Sequence, residues 1–300
     1  MNRLKLALLI GVLIKPLRSF FFTFVRPPRN LKSLQKIRPI ALVFGASSGI
    51  GNQFCYSLSK RNFHIIAVAR REQNLQELQR QLGPKNCTIF PQDVTQASVL
   101  NVFETFDLSK LGIVVNCAGI TQKLPSEINQ IQSDEIDRII GINVVAATRI
   151  YQRSCQVLTN NNGGIIINLA SGVGICPCPL LSVYSASKAY CQALVEATRP
   201  ELSKNGVLAL SGTPFWVATE MTETTRTSFR MAGASQWVER FLAADWNGNH
   251  VNCWFSHQLF EFGIRVLGRF SGIVQLNQME IIKKKLQKKN QRQTEAKKLQ

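Results

Sequence analysis

The chain has 300 residues, and its hydrophobic content of 45% is enough to bury a sizeable core. Its formal net charge of +18 is concentrated at the two ends, because residues 1–39 hold nine Lys or Arg and no acid, whereas residues 283–300 hold eight Lys or Arg and one Glu. Nucleic-acid binding needs positive charge across a folded face, so this distribution argues against a nucleic-acid partner and is typical of contact with an anionic membrane surface.

Two apolar runs mark the amino end, Leu6–Ile14 and Phe20–Val25. Neither run reaches the roughly 20 residues that a helix needs to cross a bilayer. Together they predict a poor span, a kinked hairpin or an interfacial helix. A cleaved secretory signal is the competing interpretation, but no small-x-small cleavage site follows the first run. We expect an uncleaved anchor, with the seven basic residues of segment 15–38 holding the folded domain in the cytosol.

The body of the chain alternates short apolar strands with helical stretches, which predicts a parallel sheet covered by helices. The expected strands are 40–45, 64–69, 87–91, 112–116, 164–170 and 206–212. The predicted fold class is α/β, a doubly wound parallel sheet of the Rossmann type in a single domain, with an amino-terminal membrane segment and a carboxyl-terminal helical extension. The expected divisions are an anchor and basic linker (1–38), a dinucleotide-binding catalytic domain (39–220), a substrate-binding segment apposed to the membrane (221–276) and a basic tail (277–300).

A glycine turn follows the first predicted strand. Gly45-Ala46-Ser47-Ser48-Gly49-Ile50-Gly51 runs from that strand into a helical pattern. Glycines let the backbone approach a pyrophosphate closely, and the unpaired N–H groups at the start of the next helix favour its negative charge. The turn therefore predicts a dinucleotide site at the carboxyl ends of the strands.

Tyr184 and Lys188 lie four residues apart, and Ser171 lies thirteen residues upstream of the tyrosine. On a helix this spacing places the phenol and the ammonium on one face, where they can share a ligand. A cation beside a phenol favours its charged form, so Tyr184 is a candidate acid and base. The pair alone also fits a solvated helix face, but the glycine turn upstream favours the catalytic interpretation.

The second predicted strand ends in Ala67-Val68-Ala69-Arg70-Arg71. It lacks the acidic residue that binds the ribose 2′ hydroxyl in NAD-binding proteins. Arg70 could instead pair with a 2′ phosphate, with a hydrogen bond added by Ser47, which favours NADPH. The alternative is that Arg70 only opens an exposed helix.

Five separate motifs resemble the short-chain dehydrogenase/reductase family over about residues 39–221. They are the glycine turn, Asp93-Val94, Asn116-Cys117-Ala118-Gly119, Asn143, and the group of Ser171, Tyr184 and Lys188. The resemblance implies an NADP(H)-dependent oxidoreductase with catalytic residues Asn143, Ser171, Tyr184 and Lys188. The implied cofactor contacts are Gly45, Ser47, Ser48, Gly49, Ile50, Gly51, Arg70, Asp93, Val94, Asn116, Ala118, Gly119, Tyr184, Lys188, Pro214, Val217 and Thr219.

The implied roles are specific. Tyr184 would give its proton to the substrate oxygen, Ser171 would hydrogen-bond that oxygen, Lys188 would bind the nicotinamide ribose, and Asn143 would hold a water linked to the lysine. Asp93 would contact the adenine and Thr219 the carboxamide. The alternatives are ordinary structural roles, namely a polar helix residue for Asn143, a turn or cap for Asp93 and a helix N-cap for Thr219.

Within the family, the chain is similar to membrane-bound very-long-chain 3-oxoacyl-CoA reductases and their 17β-hydroxysteroid dehydrogenase relatives. The similarity rests on Arg26–Leu31, Cys176–Tyr184 and Pro214–Met221. It implies reduction of a lipid ketone, 3-oxoacyl-CoA in fatty acid elongation, with a steroid or other lipid alcohol as the alternative. A silent nucleotide-binding protein is the third hypothesis, which the intact catalytic residues disfavour. The departures from the pattern are Phe44, Cys117 and Glu220.

The expected partners are a lipid carbonyl substrate and membrane lipid, and a homodimer and other elongation enzymes remain open. Lys297 and Lys298 stand fourth and third from the end and resemble a dilysine retrieval signal, which predicts the endoplasmic-reticulum membrane. The cysteines have no metal-ligand spacing, so no metal is expected. Pro200 predicts a kink or an early end in the helix that carries Tyr184. The aromatic residues of segment 221–272 could line a lipid pocket or fill the core: Trp237, Phe241, Trp246, Trp254, Phe255 and Phe260.

Overall fold

The computed structural model describes residues 31–222, 224, 226–244, 246, 250–267 and 269–298. Both apolar runs of the predicted anchor lie outside these residues. Among the described residues, no helix has both the length and the apolar character needed to cross a membrane.

Six parallel strands form the central sheet in the order β3-β2-β1-β4-β5-β6. They are β1 (Ile40–Phe44), β2 (His64–Ala69), β3 (Cys87–Pro91), β4 (Leu111–Asn116), β5 (Gly164–Leu169) and β6 (Val207–Gly212). Each predicted strand is present with bounds within one residue, so the predicted Rossmann-type sheet is confirmed. The strand order reverses between β1 and β4, and the crevice at their carboxyl ends is where such sheets bind ligands.

Helices connect the strands and cover both faces of the sheet. They are Lys32–Ile37, Gly49–Ser59, Glu72–Leu82, Val102–Thr105, Ser133–Ile140, Ala147–Asn160, Gly172–Ile175, Ser182–Ser203, Ala234–Ala243, Phe255–Leu267 and Arg269–Lys298. A π-helical segment occupies Gly141–Ala146, and 3₁₀ helices occupy Ala97–Asn101, Ile128–Gln130 and Glu220–Thr222. Two short strands, β7 (Val217–Ala218) and β8 (Ala232–Gly233), pair beyond the main sheet.

The strands alternate their side chains between two separate cores. On one face, Val43 and Ile167 pack with residues of helix Gly49–Ser59. On the other face, Leu42 and Ile166 pack with residues of helix Ala147–Asn160. Burial on both faces explains why these strands are apolar without interruption in the sequence.

Three of the aromatic residues beyond β6 belong to the first core. Trp237, Phe241 and Trp246 are each no more than 1% exposed. The ring of Phe241 lies 5.2 Å from that of Trp237 and 5.7 Å from that of Phe54, centroid to centroid. Of the two interpretations of this aromatic segment, core packing is therefore correct for these three side chains, whereas Phe255 is 38% exposed.

The long helix Ser182–Ser203 continues through Pro200 for three further residues, so the prediction that it ends early at the proline is wrong. A proline removes one hydrogen-bond donor, and this loss is small so near the end of a helix. The last turn is held by the hydroxyl of Ser203, which donates to the carbonyl of Pro200 at 2.9 Å, and by the burial of Leu202.

We predict that Phe241→Ala lowers the free energy of unfolding by about 3–5 kcal/mol, because it leaves a cavity between helix Gly49–Ser59 and helix Ala234–Ala243. Ile128→Ala is the matched control, since that side chain is 61% exposed and its removal should change stability by no more than about 0.5 kcal/mol. Denaturant unfolding of both variants measures the difference. Equal stability of the two variants would contradict the core assignment.

Candidate active site

The glycine turn is pressed against the turn that follows β4. Gly45 has φ +76° and Gly49 has φ +56°, which are conformations that favour glycine. A Cβ on Gly45 would lie 2.8 Å from the backbone nitrogen of Ala118, and one on Gly51 would lie 2.2 Å from the carbonyl oxygen of Gly45. The glycines thus permit close packing of this turn against the turn after β4. The turn leads into helix Gly49–Ser59, whose first N–H groups have no partner within the helix and can bind a pyrophosphate.

Helix Ser182–Ser203 brings Tyr184 and Lys188 to the same crevice. Lys188 is only 5% exposed, and its ammonium donates a hydrogen bond of 2.9 Å to the carbonyl of Leu169. The Lys188 Nζ lies 5.9 Å from the centroid of the Tyr184 ring. Burying a charge against a carbonyl rather than a carboxylate is costly, and such a site is suited to a ligand that supplies further polar contacts.

Ser171 lies just beyond the end of β5 and is 6% exposed. Its hydroxyl donates to the carbonyl of Pro214 at 3.2 Å and accepts from the backbone N–H of Val173 at 3.4 Å. These contacts fix the hydroxyl in the cleft that Tyr184 and Lys188 also line. The three predicted catalytic side chains are therefore brought together.

Asn143 is buried within the π-helical segment Gly141–Ala146, a helix type that is frequent at functional sites. Its side chain accepts from the N–H of Ile120 at 2.9 Å and donates to the carbonyl of Ile120 at 2.8 Å and to the Ser187 hydroxyl at 3.0 Å. The backbone carbonyl of Asn143 accepts a hydrogen bond from the Cys191 thiol at 3.1 Å. Asn143 thus joins the turn after β4 to the helix that carries Lys188, and its role in holding a water stays a prediction.

Most of the predicted cofactor contacts line one cleft of about 250 Å³. The predicted residues in its wall are Gly45, Ser47, Ser48, Gly49, Ile50, Gly51, Ala118, Gly119, Tyr184, Lys188, Pro214, Val217 and Thr219. Other predicted contacts lie outside that wall, namely Arg70, Asp93, Val94 and Asn116. The cleft extends from the glycine turn to Ser171, Tyr184 and Lys188, at the carboxyl ends of the strands where such sheets bind dinucleotides.

The two consecutive arginines after β2 point in different directions. The side chain of Arg70 is 75% exposed and lies 3.5 Å from a carboxylate oxygen of Asp93. Burial of Asp93 opposes its ionisation, but hydrogen bonds from Thr95 and the charge of Arg70 hold the pKa of this carboxyl below its usual value. The neighbouring Arg71 lines the cleft instead. The sequence pattern did not select Arg71 as a site residue, because nothing in it distinguishes the two arginines.

Asn168 is a second residue that sequence reasoning missed. It lies opposite Asn116 in the pairing of β4 with β5, and its Oδ1 accepts a hydrogen bond of 3.0 Å from the Asn116 amide. Both side chains are buried at the carboxyl ends of apolar strands. Asn168 could have been singled out in the sequence, because it is a polar residue within the otherwise apolar strand β5.

The turn after β4 carries Cys117 in the cleft. Burial raises the pKa of the Cys117 thiol, and the nearby Lys188 offsets only part of this increase. The thiol therefore stays neutral and adds no negative charge beside the buried ammonium.

An aromatic wall of Phe215 and Phe260 stands at the cleft, where Phe215 lines the cleft and Phe260 packs against Phe215. The Phe215 ring lies against Gly172, where an added Cβ would come within 2.3 Å of it, and 5.3 Å from the ring of Phe260. Behind it, burial lowers the pKa of His257 to about 4, so the ring is neutral and bonds to the backbone of Phe215 and Arg230. This wall offers an apolar surface next to Ser171 and Tyr184.

A crevice that joins a glycine turn to a serine, a tyrosine and a buried lysine defines a dinucleotide-dependent oxidoreductase. The profile of the family described as short chain dehydrogenase matches residues 39–229, and the chain belongs to this family. The predicted family, the predicted enzyme class and the nicotinamide type of cofactor are thereby confirmed.

Named relatives come from fungi and bacteria. A very-long-chain 3-oxoacyl-CoA reductase of Pyrenophora tritici-repentis is 28% identical over 253 residues, which cover 79% of this chain and 73% of that protein. An uncharacterized oxidoreductase of Staphylococcus epidermidis is 35% identical over 189 residues, which cover 62% of this chain and 81% of that protein. Among solved structures, a short-chain dehydrogenase from Sphingobium yanoikuyae in complex with NADPH has a TM-score of 0.61 and 26% identity, covering 67% of this chain and 82% of that one.

We predict that Gly119→Ala reduces turnover by roughly ten- to a hundred-fold while leaving stability nearly unchanged. The new Cβ would lie 3.0 Å from the Lys188 Nζ and 3.2 Å from the Asn143 Oδ1, so it displaces the flexible end of the lysine rather than the backbone. Gly263→Ala is the matched control, because a Cβ there meets no atom within 4 Å. NADPH-dependent turnover and thermal unfolding are measured for both variants. Wild-type turnover of Gly119→Ala would contradict this tight packing.

Proposed function

We propose that the protein reduces a ketone on a lipid substrate with NADPH, and that the substrate is a long 3-oxoacyl-CoA, which becomes 3-hydroxyacyl-CoA in very-long-chain fatty acid elongation. The observation that carries this proposal is the convergence of Ser171, Tyr184 and Lys188 on the cleft of the glycine turn. The name of the fungal relatives supports the acyl-CoA substrate. The absence of an acid at the end of β2 supports NADPH over NADH.

NADPH, when bound, supplies a hydride to the carbonyl carbon of the substrate. Ser171 orients the carbonyl oxygen, because its hydroxyl is already held by the backbone of Pro214 and Val173. Tyr184 donates its proton to that oxygen, and the ammonium of Lys188 stabilises the phenolate that remains. Fixing these groups before the substrate arrives lowers the entropic cost of the reaction.

The acyl chain is proposed to lie against the aromatic wall of Phe215 and Phe260. This wall would also accept a steroid, so a 17β-hydroxysteroid or another lipid alcohol is the second candidate substrate. A silent nucleotide-binding protein is the third candidate, and the intact Asn143, Ser171, Tyr184 and Lys188 count against it.

We predict NADPH oxidation with long 3-oxoacyl-CoA and loss of turnover by about 10²–10⁴-fold in Tyr184→Phe, because this variant lacks the proton donor but keeps its volume. NADPH affinity should be retained. Tyr190→Phe is the matched control, since this tyrosine is on the same helix and bonds to Thr148. The assay compares 3-oxoacyl-CoA with a 17-ketosteroid. Turnover of the steroid alone would favour the second candidate, and near wild-type activity of Tyr184→Phe would refute its assigned role.

We further propose that residues 1–25 embed in the endoplasmic-reticulum membrane, with the catalytic domain and the carboxyl tail in the cytosol. The support comes from the two apolar runs, the end-loaded charge and Lys297-Lys298. Membrane lipid is then a contact of the chain, and a homodimer and other elongation enzymes are further proposed partners.

We predict that removal of residues 1–25 moves much of the protein to the soluble fraction, because these residues carry the apolar runs. Replacing Lys297 and Lys298 by Ser should leave membrane association unchanged and let the protein escape to later compartments, since a retrieval signal is read by a receptor. Fractionation and microscopy measure the two effects. Protease added to sealed microsomes should cut the tail, and a tail protected until detergent is added would overturn this topology.

A further inference from the structure

We infer that Arg71, rather than Arg70, binds the 2′ phosphate of NADPH, and that Glu220 is a built-in competing anion that sets the affinity of this contact. The inference deepens the proposed NADPH-dependent function and rests on it. It assigns cofactor preference to a pair of residues from opposite sides of the cleft.

The position of Arg71 favours it over its neighbour. Its guanidinium donates to the Ser47 hydroxyl from Nε at 3.2 Å and from Nη2 at 3.1 Å, and it also contacts the Ser48 hydroxyl. The guanidinium therefore lies beside the Ser47 hydroxyl, which is the group predicted to hydrogen-bond the 2′ phosphate. Arg70 lies outside the cleft wall and faces Asp93. The two guanidinium groups therefore have different partners, and that of Arg71 contacts the glycine turn.

Glu220 already places an anion on this guanidinium. Its Oε2 lies 2.7 Å from the Arg71 Nη1, although the two residues are 149 positions apart in sequence. The carboxylate belongs to the 3₁₀ helix Glu220–Thr222, which follows β7 and lines the cleft. The ion pair thus joins the segment after β7 to the segment after β2, beside the glycine turn.

Glu220 also stands between two cavities. It lines the cofactor cleft and a neighbouring groove of about 500 Å³, and the two cavities share Ser47, Ser48 and Gly49. A phosphate that binds Arg71 has to displace this carboxylate or accept its repulsion. Displacement is feasible because the Glu220 side chain is 61% exposed, and ion pairs at exposed positions are weak in water.

Removing the charge of Arg71 and removing the charge of Glu220 should change the affinity for NADPH in opposite directions. Loss of the Arg71 charge removes a bidentate donor for the phosphate dianion and weakens NADPH binding. Loss of the Glu220 charge frees the same donor and strengthens NADPH binding. NADH has a hydroxyl in place of the 2′ phosphate, so neither change should affect it strongly.

The test measures the dissociation constants of NADPH and NADH for the full-length protein by titration calorimetry. We expect Arg71→Gln to weaken the binding of NADPH by about ten-fold or more and the binding of NADH by less than about two-fold. We expect Glu220→Gln to strengthen NADPH by roughly two- to five-fold and to leave NADH unchanged. In the double variant, Glu220→Gln should add nothing.

Arg153→Gln is the control for loss of one positive charge, because Arg153 pairs with Glu104 and neither residue lines the cleft or the groove. Arg70→Gln tests the competing assignment, and a larger NADPH loss there than in Arg71→Gln would overturn the inference. Weaker NADPH binding by Glu220→Gln would overturn the role of Glu220. Failure of the wild-type protein to bind either nucleotide would instead refute the proposed function, and thermal unfolding identifies variants that fail to fold.

Discussion

The buried ammonium of Lys188 is the constraint on which the catalytic half of the molecule depends. A charge removed from water must be compensated, and here the compensation comes from the carbonyl of Leu169 at the carboxyl end of β5. A side chain at Gly119 would displace this ammonium, because a Cβ there would lie 3.0 Å from it. The neighbouring thiols of Cys117 and Cys191 remain neutral, since burial raises the pKa of each. In the proposed function, further hydrogen-bond partners for this ammonium come from the cofactor and the substrate.

The charges at the other end of the cleft, around Arg71, differ from Lys188 in their exposure to solvent. Around Arg71 the charges are exposed and paired, so they can exchange partners at low cost. Around Lys188 the charge is buried and fixed, so it can stabilise a developing charge without reorganising. The glycine turn lies between these two environments, and its residues line the cleft that contains both charges. In the proposed function, the exposed ion pair of Arg71 serves cofactor recognition and the buried Lys188 serves catalysis.

The carboxyl-terminal part of the described chain connects this cleft to the rest of the core. Helix Ala234–Ala243 packs Trp237 and Phe241 against the sheet, and β7 pairs with β8 directly before that helix. The neutral ring of His257 then joins the backbone beside Phe215 to the backbone beside Arg230. The aromatic wall of the cleft is thereby tied to the segment that enters β8.

The sequence by itself determined the strands, the glycine turn and the group of Ser171, Tyr184 and Lys188. Strands buried on both faces must be apolar without interruption, and close backbone approach requires glycine, so both features leave local patterns. Tertiary structure alone decided which of two adjacent arginines faces the cleft and that Glu220 meets it, because that choice depends on a contact between residues 149 positions apart. It also decided that Trp237 fills the core and that the helix passes through Pro200, since packing and the distance to a helix end cannot be read from residue type.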